Sequence, residues 1–187
     1  MKTVIFGSEG NIARRLKQIF PDSFGIDQVP GADLVASMQD IDYDSEPLRS
    51  RLAEADIVLH LATSPRTDDP DDVHYQAVID AARLLKACQK VPVPRLLLPS
   101  SDWADPKRGW PPINPYGYSK RVFETMATMY SFSTGKLCVA FRFGWVAPRA
   151  VIDASSSEVV RQNYWDDARL FHEIRRALDL YPATGLP

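Results

Sequence analysis

Val4-Ile5-Phe6-Gly7-Ser8-Glu9-Gly10-Asn11-Ile12-Ala13 is the stretch on which the fold turns. A short apolar run suited to a buried strand meets two glycines, and a helical pattern opens directly behind them. Ile12, Leu16, Ile19 and Phe20 fall on one helical face, and Pro21 ends the pattern. The G-x-x-G-x-x-A spacing has a physical logic. Gly7 permits a sharp turn, Gly10 lets backbone approach a pyrophosphate, and the small Ala13 lets helix and strand pack closely. The helix N-terminus adds free N–H groups and the positive end of a dipole. The pattern predicts a dinucleotide site at Gly7, Gly10, Asn11 and Ile12; the plain alternative is an ordinary glycine turn.

Outward from this turn, apolar runs alternate with helical patterns, which predicts a parallel α/β sheet. Further strands are expected at 24–26, 34–36, 57–62, 96–98 and 137–143. Helices are expected around Leu48, Leu52 and Ala55, from Asp72 to the prolines Pro92 and Pro94, over 116–131 and over 166–180. The inner face of the second of these is read as Val78, Ala81, Leu85 and Cys88. The fold class is a Rossmann-type doubly wound parallel sheet over residues 1–145, with a small, otherwise irregular C-terminal helical segment over 146–187 on the substrate side.

Composition narrows the function. The 187 residues fit one domain, and 45% hydrophobic with 25% charged residues excludes a disordered chain. A net charge of −2 from 22 basic and 24 acidic residues, with no basic tract, argues against nucleic acid or an anionic membrane as partner. No apolar run approaches a membrane span, and the N-terminal run is too short for a signal peptide, so the cytoplasm is the expected compartment. Cys88 and Cys138 are expected to be reduced core residues. No metal site is expected: His60 falls in a strand, His74 at a helix start and His172 on the last helix.

Asp27 ends the second strand, twenty residues after Gly7. A carboxylate there accepts hydrogen bonds from ribose hydroxyls and repels a 2′-phosphate, which favours NAD over NADP. Arg14 and Arg15 on the first helix are read as a solvated face.

Pro115-Tyr116-Gly117-Tyr118-Ser119-Lys120 contains Tyr-x-x-x-Lys, a spacing that puts Tyr116 and Lys120 on one helical face. A free tyrosine, with a pKa near 10, is a poor base at neutral pH, and a lysine ammonium beside it stabilises the phenolate. The same lysine can hold ribose hydroxyls. Ser101, just after the fifth strand, supplies a hydroxyl to orient a substrate oxygen.

With these pieces the chain resembles an extended short-chain dehydrogenase/reductase of the NAD-dependent epimerase/dehydratase family. The resemblance is carried by Gly7–Ala13, Asp40-Ile41, His60-Leu61-Ala62-Thr63, Ser100-Ser101-Asp102, the Tyr116 to Lys120 motif and Arg142-Phe143-Gly144, in family order. Arg142-Phe143-Gly144-Trp145 and Tyr164-Trp165-Asp166-Asp167 look most like uronate dehydrogenases. The resemblance implies that Tyr116 is the general acid/base, supported by Lys120 and assisted by Ser101. It implies that Asp40 and Ile41 hold adenine, and that Leu61, Ala62 and Thr63 border the cofactor NAD.

Three departures stand beside it. Ala77 occupies the place of an asparagine usual in the helix after strand four. The loop between Ser101 and Tyr116 is shorter than usual, and only 43 residues follow Gly144, which leaves the substrate half thin. Asp102 is followed by Trp103, which breaks the acid pair that dehydratases place there. Asp102, Trp103 and Trp145 are candidate substrate contacts, with Trp110 in the same region; aromatic faces suit sugar rings, though they equally close a small core. Asp166-Asp167 is read as a helix N-terminal charge pair.

The expected function is an NAD-dependent oxidoreductase acting on a hydroxyl or keto group of a sugar, uronic acid or related small molecule. The alternatives are a sugar or nucleotide-sugar epimerase or dehydratase, and a non-catalytic NAD-binding regulatory or assembly protein. A homodimer is expected through the helices around 73–90 and 116–131. The second carries Val122, Phe123, Met126, Met129 and Tyr130, too many large apolar groups for one inward stripe. The competing expectation is that segment 165–181 folds back over that face and leaves a monomer.

Overall fold

The structure is a computed structural model that describes residues 1–105 and 112–179. Its centre is β1 (Thr3–Phe6), buried along its whole length. β1 pairs in parallel with β2 (Phe24–Asp27) on one side and β4 (Ile57–His60) on the other. With β3 (Leu34–Val35), β5 (Arg95–Ser101) and β6 (Leu137–Phe143) the sheet runs β3-β2-β1-β4-β5-β6. Strand order reverses between β1 and β4, and ligands bind at such switch points, beyond the strands' C-terminal ends. This is the doubly wound sheet expected from the alternation of patterns.

Successive strand residues point to opposite faces, so each strand feeds two cores. Val4, Phe6, Val58, Leu96 and Leu98 meet Leu48 and Leu52 of α2 (Leu48–Glu54), Ala81, Leu84 and Cys88 of α3 (Asp71–Gln89), and Phe123, Ala127 and Tyr130 of α4 (Pro115–Thr134). On the other face Ile5, Ile57, Leu59 and Leu97 meet Ala13 and Leu16 of α1 (Asn11–Leu16) and Leu170 and Ile174 of α7 (Asp167–Asp179). Cys88 and Cys138 are buried and free, and burial pushes both thiols up to about 12.

Several expectations are corrected. α1 ends at Leu16 rather than running to Pro21, because its last turn tightens: Gln18 N donates to Arg15 O and Ile19 N to Leu16 O. Phe20 is still buried, reached from that turn. On α3, Val78 is only half-buried, and Ala77 and Leu84 join the inner face. The stretch expected to be irregular holds two short helices, α5 (Arg149–Asp153) and α6 (Glu158–Gln162), the second capped by Ser157, whose hydroxyl accepts from Val160 N. α7 packs against the α1 face, so its described part does not cover α3 and α4. Residues 180–187, including Tyr181, and Trp110 lie outside the described residues. Among the described residues no helix is long and apolar enough to cross a membrane, and no group of three or more His, Cys, Asp or Glu could hold a metal.

Candidate active site

Two cavities, of about 430 and 450 Å³, adjoin at the C-terminal edge of the sheet and share Gly7, Gly10, Leu61, Thr63 and Ser64. Gly7 takes a left-handed φ of 80°, and a Cβ there would stand 2.6 Å from Ala62 N. Only glycine lets the turn pass this close to the end of β4. Gly7 N and Ser8 N both donate to Ile26 O, at 2.8 and 3.1 Å, which anchors the turn on β2. No side chain caps the first-turn N–H groups of α1, and Asn11, Ile12 and Ala13 line the second cavity.

The first cavity, on the side of the groove where the resemblance implies the purine, continues past Asp27 and Gln28 to Ala36, Ser37, Met38 and Gln39, and is also lined by Gln76, Ala77 and Asp80 of α3. Asp27 has a role the spacing did not reveal. Its carboxylate accepts from Glu9 N at 2.9 Å and Gln28 N at 2.7 Å, tying β2 to the glycine turn while still lining the cavity. Leu61, Ala62 and Thr63 line it as well. Asp40 and Ile41 do not. The Asp40 carboxylate accepts from Ser37 Oγ at 2.6 Å, closing a turn, and Ile41 is buried in the core. Arg83 sets that geometry by donating to the carbonyls of Met38, Gln39 and Ile41 at 3.0, 2.7 and 3.2 Å.

The second cavity, on the side the resemblance implies to be catalytic, gathers Ser101, Asp102, Trp103, Tyr116, Lys120 and Trp145. α4 starts here because Pro115 occupies its first position and Asn114 caps it, its Oδ1 accepting from Gly117 N at 3.0 Å. Gly117 has no room for a side chain: a Cβ would lie 2.5 Å from Trp103 O, so α4 abuts the 3₁₀ turn Asp102–Ala104. Tyr116 and Lys120 are both buried, and the Lys120 Nζ lies 5.0 Å from the Tyr116 ring centroid and 3.2 Å from Thr63 Oγ1.

Electrostatics differ from the expectation drawn from spacing. Burial raises the Tyr116 phenol above its ordinary value, and the Ser101 hydroxyl, hydrogen-bonded to it, pulls the other way. Burial lowers Lys120 to about 7. Burial thus works against the ammonium form, and an anionic neighbour would favour it.

Sequence reasoning missed three further features. The His74 ring meets Tyr116 edge-on at 5.6 Å. Glu124 joins three elements, accepting from Ser100 Oγ at 2.6 Å and from Arg142 Nε and Nη2 at 2.7 and 2.9 Å. Arg15 is not a solvated residue: it donates to Val146 O at 2.8 Å and Trp165 O at 2.9 Å, and pairs with Asp167. Asn11 Nδ2 also donates to Val146 O. Asp167 is therefore a partner for α1, while Asp166 caps α7 by accepting from Arg169 N at 2.8 Å. Gly144 leaves room for the Trp165 indole, which a Cβ would strike, and Trp145 and Tyr164 form a parallel bridge. The Arg142-Phe143-Gly144-Trp145 and Tyr164-Trp165-Asp166-Asp167 stretches are the sequence signals for this wall.

Fold and site together define a dinucleotide-binding α/β protein with a Ser–Tyr–Lys centre. The chain belongs to the NAD dependent epimerase/dehydratase family, whose model matches residues 10–162. The family is NAD-dependent, and the glycine turn, the uncapped α1 and the two adjoining cavities fit that cofactor. Among solved structures, a mutated uronate dehydrogenase is 20% identical with a TM-score of 0.73, covering 94% of this chain and 68% of its own. A UDP-galactose 4-epimerase is 20% identical with a TM-score of 0.66, covering 80% of this chain and 58% of its own. A UDP-glucuronic acid 4-epimerase from Bacillus cereus in complex with NAD is 21% identical with a TM-score of 0.63, covering 77% and 58%. The chain thus spans less than two thirds of these epimerases. No curated protein sequence matches it.

Proposed function

We propose that the chain is an NAD-dependent oxidoreductase acting on a secondary hydroxyl of a sugar, uronic acid or related small molecule. The observation that carries this is the burial of Tyr116 against Lys120 and Ser101 in one cavity that joins the glycine-turn cavity. Gly7, Gly10, Asn11, Ile12, Asp27, Leu61, Ala62 and Thr63 hold the dinucleotide, which when bound supplies the hydride acceptor. Ser101 orients the substrate hydroxyl. Tyr116, as phenolate, takes its proton and becomes the neutral phenol, and the Lys120 ammonium beside it stabilises the phenolate that must form first. Asp102, Trp103 and Trp145 form the substrate wall, with an aromatic face suited to a sugar ring.

Incubation with NAD and a panel of sugars and uronic acids tests this. Reduced cofactor, followed by absorbance, is the expected result. An isomerised sugar with no net reduction assigns the same residues to an epimerase. Tight NAD binding with no turnover of any kind supports a non-catalytic binder, the reading favoured by Ala77, which lines the purine-side cavity where the family places asparagine.

We further propose a homodimer through α3 and α4. Tyr118, Val122, Met129 and Phe132 of α4 are exposed beside Tyr75 and Ile79 of α3, and Phe132 is 88% exposed. Light scattering at micromolar concentration is expected to give twice the 21.0 kDa of one chain; a steady monomer mass refutes it.

A further inference from the structure

Asp80 lies in the third turn of α3, where the helix closes the purine side of the groove. Its side chain is 8% exposed and lines the cavity wall. A buried carboxylate is costly unless hydrogen bonds replace its water. Asp80 has one such bond, from Gln76 Nε2 to Oδ1 at 2.9 Å. The Arg83 guanidinium stands 4.0 Å away, and both N–H groups of its nearest nitrogen, Nη1, go to the carbonyls of Met38 and Gln39, while Nη2 donates to Ile41 O. A carboxylate offers about four acceptor positions. Acceptor capacity is therefore left over at a wall of an open cavity.

The order of residues along that cavity says which donor it meets. Gly7 and Gly10 mark the pyrophosphate end, Asp27 and Gln28 the ribose, and Ala36, Ser37, Met38 and Gln39 the far end. Arg83 Nη1, 4.0 Å from Asp80 Oδ1, also donates to the carbonyls of Met38 and Gln39, so Asp80 stands beside the end of the cavity that those residues line. Asp40, whose carboxylate is engaged with Ser37, is not at this wall.

We propose that Asp80, positioned by Gln76, reads the exocyclic amine of adenine and so selects the base of the dinucleotide. This rests on the NAD reading above. The amine is a donor, which a carboxylate accepts; hypoxanthine presents a carbonyl at the same place, and two acceptors facing each other repel. Met38 supplies the neighbouring apolar surface.

Calorimetry with NAD and with nicotinamide hypoxanthine dinucleotide tests it on the wild-type chain and on Asp80→Asn, whose amide can face either base. The wild-type chain is expected to bind NAD about tenfold or more tightly over the hypoxanthine analogue, the discrimination of a hydrogen bond to a charged group. In Asp80→Asn that ratio is expected to fall to about threefold or below. Equal affinities in the wild-type chain overturn the proposal without any variant. An unchanged ratio in Asp80→Asn overturns it too, because a merely structural Asp80 affects both dinucleotides alike. Absence of NAD binding to the wild-type chain overturns the NAD reading, and this one with it.

Discussion

The two sides of the groove are built from very different spans of chain. The purine side is lined by residues between Gly7 and Asp80, and its ties, Glu9 to Asp27 and Arg83 to the 38–41 turn, span 18 and at most 45 positions. The catalytic side joins β4, β5, α4 and β6 to a C-terminal wall, held by contacts such as Asn11 to Val146, 135 positions apart, and Arg15 to Trp165, 150 apart. One side is a local motif that carries its own scaffold. The other exists only when distant segments have assembled. The proposed chemistry sits on the assembled side, so turnover is expected to depend on more of the fold than cofactor binding does.

The sharpest way to separate the sides is Tyr116→Phe. It removes one hydroxyl from the catalytic side and is expected to lower the turnover rate by about 10²–10⁴ while leaving the calorimetric NAD affinity nearly unchanged. A matching loss of NAD affinity would erase the distinction. Next in size is Gly144→Ala, whose Cβ would strike the Trp165 indole. Overpacking of this kind costs about 1–3 kcal/mol, read by denaturant unfolding, and the substrate KM is expected to rise more than the NAD dissociation constant.

Lys120 bears on both sides through pH. Its folded value of about 7 lies below the ordinary 10.5, so between these values the unfolded chain holds a proton that the folded chain has released. Stability from this group therefore rises with pH across that window, by at most about 1.4 kcal/mol per pH unit. Below about pH 7 the folded chain is protonated too and the slope vanishes. Cys88 and Cys138, raised from 9.0, act in the opposite direction above that value, so melting is best compared between pH 7 and 8.5. Lys120→Met is expected to flatten the rise there. The smallest effect belongs to Asp27→Asn on the purine side, which is expected to narrow the preference for NAD over NADP by roughly tenfold, as removal of one partly exposed charge allows. A wild-type preference for NADP would sink the charge argument.

The same contrast explains what the sequence disclosed. β1, the glycine turn and Tyr-x-x-x-Lys were legible because backbone conformation and helical spacing dictate them within a few residues. Asp40 and Ile41 were placed on the cavity by resemblance, yet Arg83, more than forty positions away, folds their turn so that Met38 and Gln39 face it instead. Arg15 reads as a surface residue on α1 until α7 arrives to give it Asp167. Asp80 sits on a helical face otherwise counted as core, and no local pattern distinguishes a carboxylate that lines a cavity from one that meets solvent. The lowering of Lys120 and the raising of Tyr116 are consequences of burial, which spacing does not contain.

Arg15 grips the C-terminal wall from the same helix whose first turn faces the cofactor. Thermodynamic linkage then runs in both directions. A dinucleotide bound as proposed at the first turn of α1 is expected to steady Arg15 against Val146 and Trp165, and a docked α7 to steady the glycine turn in return. Cofactor occupancy and attachment of the C-terminal wall are therefore expected to be one coupled equilibrium, with protection of that wall from proteolysis expected to rise with the concentration of bound dinucleotide.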